Sequence, residues 1–263
     1  MAQESIVLES KEMYGTDVLG SSGQGFNLET LAPVAPLDYP KLKLLMEVSN
    51  PIEQQWRIKS CDKEPWTVAF IESCPPGSWF IDIGASTGPY TLVAIANKLN
   101  AVAIEPSFES YRRLCRNLAL NQMLDQAIVF CIGLGRDFSL EWMNYFDIRA
   151  GAGSNRIANL GKKTWHRQLV PIWPLDSLVQ LLTQDAPIYV KLDVDGDEDA
   201  VLAGANNLLH SPQLQGIISE MPISLEQSMI DRFKECGLTL VNRFDQRAGQ
   251  KIQGVCYGEF RRL

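Results

Sequence analysis

The sequence predicts an α/β fold with a doubly wound, mostly parallel sheet of seven strands that ends in an antiparallel hairpin. Three observations predict it. Short apolar runs alternate with helical patterns between residues 79 and 220. Two more strand-like runs, 238–244 and 252–260, close the chain around a polar turn. Four of the first five core strands end in an acid: Asp82, Glu105, Asp193 and Glu220.

The chain is predicted to divide near residue 64. Residues 1–63 are expected to form an N-terminal arm and helices that pack on the core. Turn formers and spaced prolines fill the first part of this segment, and residues 41–57 carry apolar side chains at helical spacing. Residues 64–263 are expected to form the main domain, beginning with a short helix at 66–71.

Residues 79–88 predict a strand, a tight loop and the start of a helix. Apolar residues lead into Asp82, and glycines at 84 and 88 allow a sharp turn and a close approach to a ligand. Pro89 suits the first turn of a helix because its missing N–H needs no partner there. The loop is therefore predicted to bind a ligand, with an ordinary turn as the alternative.

Glu105 follows the second predicted strand. In a nucleotide-binding strand–helix–strand unit, an acid at this place accepts hydrogen bonds from a ribose diol. The spacing Asp82-x-Gly84-x-x-x-Gly88 differs from the G-x-G-x-x-G of pyrophosphate loops. It fits the loop of class I S-adenosylmethionine (SAM) methyltransferases better. A third strand at 127–132 then leads to Gly133, where the adenine edge of such a cofactor would lie.

Residues 138–173 form the least regular stretch, although 168–173 has the pattern of a strand. The stretch combines a glycine-rich loop at 151–154 with several aromatic residues and His166. Such a segment can form a lid over a substrate, and a surface excursion explains it equally well. His166 would be an alternative base if a lid closed over the site.

The fourth core strand, 188–193, places Lys191 and Asp193 on the same side. A buried lysine is unfavourable unless it is paired, so we expect Lys191 to contact a carboxylate. The turn at Asp195 and Gly196 leads into a helix whose first residues are acidic, which suits the positive end of the helix dipole. A strand at 217–220 and a helix at 225–235 complete the alternation.

Composition limits the classes of function. A formal net charge of −7 argues against nucleic acid as the main partner, because such binding depends on clustered Lys and Arg. No apolar run is long enough to cross a bilayer, and residues 1–12 lack the features of a signal peptide. The six cysteines form no C-x-x-C pair, so we expect reduced thiols in a cytoplasmic protein.

Several segments, taken in order, resemble the FkbM family of SAM-dependent methyltransferases. They are FIDIGASTG at 80–88, EP at 105–106, NLALN at 117–121, LDSL at 175–178, and KLDVDGDE at 191–198 with GA at 204–205. The resemblance spans residues 64–221. It implies a Rossmann-like class I methyltransferase fold, SAM as cofactor, and a small-molecule or glycan acceptor, with the methyl group transferred to a hydroxyl of a sugar, glycan or polyketide-type compound.

The chain departs from the family pattern at two places. Asp195 stands where the family usually has glutamate, and the segment before residue 64 matches no part of the pattern. The identity of the acceptor is therefore left open. The residues expected to bind SAM are Asp82, Gly84, Ala85, Ser86, Thr87, Gly88, Glu105, Pro106 and Gly133. Of these, Glu105 is assigned to the ribose hydroxyls, and Asp82 with the first loop to the methionine end.

Asp193 and Glu220 are the expected catalytic acids, with His166 as the alternative base. Asp193 could take the proton of the acceptor hydroxyl, bind a divalent ion such as Mg²⁺ that acidifies it, or serve only to orient groups, including Lys191. Rival functions are a nicotinamide-dependent dehydrogenase and a non-catalytic module that binds SAM or a nucleoside. A nucleic-acid amino methyltransferase is disfavoured because the fourth strand ends in LDVD rather than an N/D-P-P-Y motif.

Overall fold

The computed structural model describes residues 18–19, 25–27, 32–153, 155–157, 164, 166–182, 186–247, 250–251 and 253–263. Its strands are β1 (Val18–Leu19), β2 (Gly25–Asn27), β3 (Ala32–Pro36), β4 (Leu45–Glu47), β5 (Trp79–Ile83), β6 (Asn100–Ile104), β7 (Ala127–Phe130), β8 (Gly133–Leu134), β9 (Ser139–Tyr145), β10 (His166–Trp173), β11 (Ile188–Leu192), β12 (Leu214–Pro222), β13 (Thr239–Phe244), β14 (Gln246–Arg247), β15 (Gln250–Lys251) and β16 (Val255–Arg261). Its α-helices span Ser60–Lys63, Pro65–Glu72, Pro89–Ala96, Phe108–Leu120, Leu175–Val179, Glu198–Ala203, Asn206–His210 and Glu226–Glu235. A π-helix spans Glu53–Arg57, and a 3₁₀-helix spans Leu124–Gln126.

A seven-stranded sheet forms the centre of the protein, in the order β13-β16-β12-β11-β5-β6-β7. Strands β12, β11, β5, β6 and β7 run parallel, whereas β16 lies antiparallel between β12 and β13. The chain moves outward from β5 to β7 and then returns to β11 beside β5, which reverses the strand order there. The predicted doubly wound sheet with an antiparallel C-terminal hairpin is therefore confirmed.

Apolar side chains cover both faces of this sheet. Successive residues of a strand point to opposite faces, so Ile81 and Ile83 join one core layer and Phe80 joins the other. All five residues of β11 are buried, as expected for a central strand with helices on both sides. Because the strands are held on both faces, the loops at their carboxyl ends start from fixed positions.

The N-terminal region differs from its prediction. The predicted helix over residues 41–57 is wrong, because Leu45–Glu47 forms β4 and helical structure in this range is confined to residues 51–57, mainly the π-helix Glu53–Arg57. The reason lies in distant contacts: the backbone N–H groups of Leu45 and Glu47 donate to the side-chain carbonyls of Asn121 and Asn117. Strands β1–β4 form a separate sheet, so the described part of the arm is more regular than expected. Residues 1–17 of the predicted arm lie outside the described residues.

The stretch from 138 to 173 is also more regular than predicted. Strands β9 and β10 pair antiparallel, and β10 pairs with β8, which gives a further sheet of three strands. Met143, Tyr145, Val170 and Ile172 form its buried face. The predicted strand at 168–173 is confirmed, whereas Ser154 and Trp165 lie outside the described residues.

The helices predicted at 66–71 and 225–235 are confirmed at Pro65–Glu72 and Glu226–Glu235. No helix in the described ranges is both long and apolar enough to span a membrane. All six cysteines are free thiols, as the sequence predicts.

Candidate functional site

A cavity of about 210 Å³ opens at the carboxyl ends of the central strands, where the strand order reverses. This is the position at which open α/β sheets bind their ligands. Side chains and backbone from five strand ends and from the N-terminal region line it. The cavity wall includes Arg57, Lys63, Gly84, Ser86, Glu105, Pro106, Gly133, Asn155, Arg156, Asp193, Asp195, Asp197, Glu220 and Tyr257.

The first loop follows β5 and turns through left-handed backbone conformations. Gly84 has φ +77° and Gly88 has φ +86°, and Ser86 between them has φ +53° although it is not glycine. A Cβ at Gly84 would overlap the backbone carbonyl oxygen of Asp193. The loop therefore packs directly against the end of β11, which places Ser86 and Asp193 on the same cavity.

We expect Gly84→Ala to destabilise the protein by several kcal/mol, because it adds steric overlap to left-handed strain of about 1–2 kcal/mol. Gly77→Ala is the matched control. Gly77 has φ +84°, and a Cβ there would meet no atom within 4 Å. Denaturant unfolding of both variants separates the two effects, and equal losses of unfolding free energy would mean that the contact with β11 is unimportant.

Glu105, which directly follows β6, stabilises the first loop. Its carboxylate accepts hydrogen bonds from the backbone N–H groups of Ser86 and Ser107, each at 2.8 Å. Burial raises the pKa of Glu105 to about 7, against the opposing effect of these two hydrogen bonds. The Glu105 carboxyl therefore changes charge near neutral pH, and it does so in the cavity wall.

Asp82 lies behind the loop and does not reach the cavity wall. It is fully buried, accepts a hydrogen bond of 2.7 Å from the Thr91 hydroxyl, and has Lys191 Nζ at 3.6 Å. Burial raises the pKa of Asp82, while Lys191 and Thr91 oppose that rise. The structure therefore brings Asp82 to Lys191 rather than to the space where a ligand would sit.

Three other loop residues assigned to the cofactor, Ala85, Thr87 and Gly88, also lie outside the cavity wall. Ala85 and Thr87 are buried, and the carbonyl oxygen of Thr87 accepts a hydrogen bond of 2.8 Å from the Asn117 side chain. A Cβ at Gly88 would overlap the Leu114 side chain. These residues shape the loop, whereas Gly84, Ser86, Pro106 and Gly133 border the cavity itself.

Lys191 is paired with two carboxylates, which confirms the prediction made for it. Its Nζ lies 3.3 Å from Asp193 Oδ2 in addition to its contact with Asp82. Burial lowers the pKa of Lys191, but the two carboxylates outweigh it and the net pKa is raised. Burial by itself would raise the pKa of Asp193, but the charges of Lys191 and Lys63 bring that pKa below its usual range. Asp193 is therefore ionised at neutral pH.

The pKa of Glu220 is shifted upward, in the opposite direction to that of Asp193. Burial and the neighbouring charge of Asp193 raise the pKa of Glu220 to about 8, although a hydrogen bond of 2.7 Å donated by the Tyr257 hydroxyl opposes the rise. Tyr257 also lies 3.5 Å from Glu64. The cavity thus contains two acids in different protonation states at neutral pH, ionised Asp193 and largely protonated Glu220.

His166 is not brought to the cavity. It is the first residue of β10, its side chain is exposed, and its ring lies 6.0 Å from that of Tyr145. The cavity wall does not include it. Its imidazole therefore lies outside the wall of the cavity that contains Asp193 and Glu220.

Several residues of the site gave no usable signal in the sequence. Arg57 and Lys63 come from the N-terminal region, and Tyr257 comes from the last strand. They meet the cavity only because distant parts of the chain pack together. Asp195 did give a signal as a departure from the family pattern. Its φ of +56° is a conformation that aspartate adopts more readily than glutamate.

The donor atoms around Asp193 do not fit a divalent metal ion. Within the described ranges, no group of three His, Cys, Asp or Glu side chains is arranged to hold one. The ammonium group of Lys191 already lies beside the Asp193 carboxylate.

Comparison with known protein families identifies the family of this chain. The sequence profile of the FkbM methyltransferase domain matches residues 82–246. No curated protein matches the chain. Similar solved structures include P. horikoshii TYW2 in complex with MeSAdo, at 16% identity and a TM-score of 0.48, with 87% of this chain and 70% of that chain covered.

Two further solved structures have comparable similarity. A putative RNA methyltransferase from Pyrococcus horikoshii has 14% identity and a TM-score of 0.45, with coverage of 85% and 92% of the two chains. A ribosomal protein L11 methylase from Lactobacillus delbrueckii subsp. bulgaricus has 12% identity and a TM-score of 0.43, with 76% and 78% covered. Similarities at this level carry no argument about the substrate. The family match, in contrast, spans more than half of the sequence, and the chain therefore belongs to the FkbM family of methyltransferases.

Proposed function

We propose that this protein is a SAM-dependent O-methyltransferase that methylates a hydroxyl group of a sugar, glycan or polyketide-type small molecule. One observation carries the proposal. Two acids of opposite protonation tendency, Asp193 and Glu220, face the same cavity as the first loop and Glu105. In this proposal residues 64–263 form the SAM-binding domain, and residues 1–63 pack on it and complete the cavity wall.

The cavity offers SAM a suitable set of polar groups. The Ser86 hydroxyl is buried and has no hydrogen-bond partner in the described part of the chain. Both oxygens of Glu105 accept one backbone N–H each, which leaves lone pairs for the ribose hydroxyls. We assign Glu105 to the ribose, Gly84 and Ser86 to the methionine end, and Pro106 with Gly133 to the adenine edge.

Asp193 and Glu220 have different roles toward the acceptor: Asp193 orients it, and Glu220 removes its proton. SAM, when bound, supplies a methyl group on a positively charged sulfur. The ionised Asp193 carboxylate accepts a hydrogen bond from a second hydroxyl of the acceptor, next to the reacting one, and so orients the reacting hydroxyl, because alignment supplies most of the rate gain in a displacement. The carboxylate of Glu220 takes the hydroxyl proton, and a pKa of about 8 suits a general base near neutral pH. Tyr257 fixes the orientation of Glu220.

The lining beyond these acids supports an acceptor with several hydroxyl groups. Asn155, Arg156, Asp195 and Asp197 all border the cavity. Planar amide, guanidinium and carboxylate groups can form several directed hydrogen bonds to neighbouring hydroxyls. A formal net charge of −7 gives no comparable support for a nucleic-acid acceptor.

Two measurements test the proposed function in sequence. Calorimetric titration with SAM and, separately, with NAD identifies the cofactor. Methyl-labelled SAM is then incubated with a panel of sugars, glycans and hydroxylated polyketide-type compounds, and labelled products are located by mass spectrometry. Binding of NAD without SAM would support the dehydrogenase, and SAM binding with no transfer to any hydroxyl would support the non-catalytic module.

We expect Glu105→Ala to weaken SAM binding by about 1.5–3 kcal/mol, the contribution of hydrogen bonds to a charged group. Calorimetry gives this value directly. Glu109→Ala is the matched control, because Glu109 pairs with Arg112 and lies outside the cavity wall. Unchanged affinity in Glu105→Ala would remove this residue from the ribose site.

SAM affinity should also depend on pH through Glu105. Burial raises the pKa of Glu105 to about 7, so the carboxylate is lost as pH falls below neutral. Protonation removes a charged acceptor for the ribose hydroxyls, and we expect affinity to fall by up to about tenfold per pH unit below pH 7. Calorimetry from about pH 6 to 8 should show this slope in the wild type and a flat profile in Glu105→Gln. The same slope in Glu105→Gln would assign it to another group.

A further inference from the structure

Arg57 is a cavity-lining cation whose hydrogen-bonding capacity is only partly used. Its Nε donates to the carbonyl oxygen of Gly151 at 2.7 Å, and one terminal nitrogen donates to the same oxygen. No carboxylate in the described ranges forms an ion pair with it, whereas Lys63 lies 3.0 Å from Glu64. Because a guanidinium has five N–H donors, three of those of Arg57 have no partner among the described residues and can serve a ligand.

Arg57 lies beside the first loop. A Cβ on Gly151 would be 3.0 Å from Arg57 Cγ and 3.5 Å from Thr87 Cγ2, so both side chains pack around the same point. Its charge reaches the acids on either side. Burial raises the pKa of both Glu105 and Asp193, and Arg57 is among the groups that oppose this rise in each. Arg57 thus lines the same cavity as the acid assigned to the ribose and the acid assigned to the acceptor, and its charge acts on both.

The carboxylate of the methionine tail of SAM needs a cation in this cavity. This inference rests on the proposed function. The tail carries an ammonium and a carboxylate. Glu105, Asp193 and Glu220 line the cavity, so they suit the ammonium group and would repel the carboxylate when ionised. A planar guanidinium with free donors matches a carboxylate in both charge and geometry.

We propose that Arg57 binds the α-carboxylate of SAM and of its demethylated product, S-adenosylhomocysteine. Arg57 precedes the segment matched by the family profile, which begins at residue 82. The N-terminal region therefore contributes a cofactor-binding residue of its own. The contact also joins the cofactor to the loop at 150–153, because Arg57 binds Gly151 and Asn50 donates to the Ala150 carbonyl oxygen at 3.1 Å.

The test compares two ligands that differ only in the carboxylate. S-adenosylhomocysteine has it, and decarboxylated S-adenosylhomocysteine keeps the amine but lacks it. We expect Arg57→Ala to weaken binding of the first roughly 10- to 100-fold, as for a lost charge-assisted hydrogen bond, and to leave binding of the second nearly unchanged. Arg57→Lys keeps the positive charge but lacks the planar set of donors, so its affinity for S-adenosylhomocysteine should lie between those of the wild type and Arg57→Ala. Arg112→Ala is the control, since Arg112 pairs with Glu109 outside the cavity wall.

The outcomes separate this inference from the proposed function. Calorimetric Kd values are measured for both ligands, and unfolding midpoints verify that each variant is folded. If Arg57→Ala does not fold, Arg57→Lys must still reduce the preference for the carboxylate. Equal weakening of both ligands, or no weakening of either, overturns the role of Arg57 while the SAM site stands. A wild-type protein that binds neither ligand overturns both proposals.

Discussion

Asp193→Ala is expected to reduce methyl transfer by about 10²-fold, the usual effect of a misplaced reacting group, while SAM affinity stays within a few-fold of wild type. The Asp193 carboxylate lies 3.3 Å from the buried ammonium of Lys191 and lines the cavity. Its removal takes away the group that orients the acceptor. Single-turnover conversion of SAM to S-adenosylhomocysteine, with an acceptor found in the panel, gives the rate.

The pH profile of the same variant tests how the two acids are coupled. The charge of Asp193 is one cause of the raised pKa of Glu220, after burial. Removing that charge should lower the pKa of Glu220, so the rising limb of the pH–rate profile should move to lower pH. Asp193→Asn, which keeps the shape of the side chain, should shift the limb in the same direction. Lost SAM affinity with an unmoved limb would instead place Asp193 in the cofactor site.

Lys191→Met is expected to destabilise the folded protein by about 3–5 kcal/mol, because it leaves the buried carboxylates without their cation. Asp82 is fully buried and Asp193 is partly so, and both lie within 3.6 Å of Lys191 Nζ. Lys41→Met is the matched control. Lys41 forms an ion pair with Glu72 at the surface, and such pairs contribute about 0–1 kcal/mol. Denaturant unfolding measures both variants.

The destabilisation should depend on pH with a definite sign. Without Lys191, burial would hold the pKa of Asp82 further above its unfolded value. An acid with a raised pKa in the folded state binds more protons than in the unfolded state, so stability falls as pH rises through that window. The difference between Lys191→Met and wild type should therefore shrink toward acidic pH. Adding Asp82→Asn should recover part of the loss, and a loss below about 1 kcal/mol at neutral pH would contradict a structural role for the pair.

Local sequence patterns were sufficient to predict the strands of the central sheet and the loop after β5. The alternation of apolar strands and amphipathic helices predicts the seven-stranded sheet, and the glycines at 84 and 88 predict a sharply turned loop. The period of two in 188–193 predicts that Lys191 meets a carboxylate, because burial of an unpaired ammonium is unfavourable. The same local rules failed at residues 41–57. There the apolar spacing of a helix is overridden by pairing with β3 and by the amides of Asn117 and Asn121.

The sequence by itself determined the class of fold, the turned loop after the first strand, and which carboxylates lie at the carboxyl ends of the strands. These features depend on the succession of apolar runs along the chain, on side-chain alternation and on the conformational freedom of glycine, all of which can be read from the sequence. Only the tertiary structure decided that Asp82 turns away from the cavity toward Lys191, that His166 lies outside it, and that Arg57 and Tyr257 enter it. Those outcomes depend on burial and on contacts between residues far apart in the chain. The pKa of each acid depends on the same contacts, because the charge of a carboxyl responds to neighbours that no linear pattern contains.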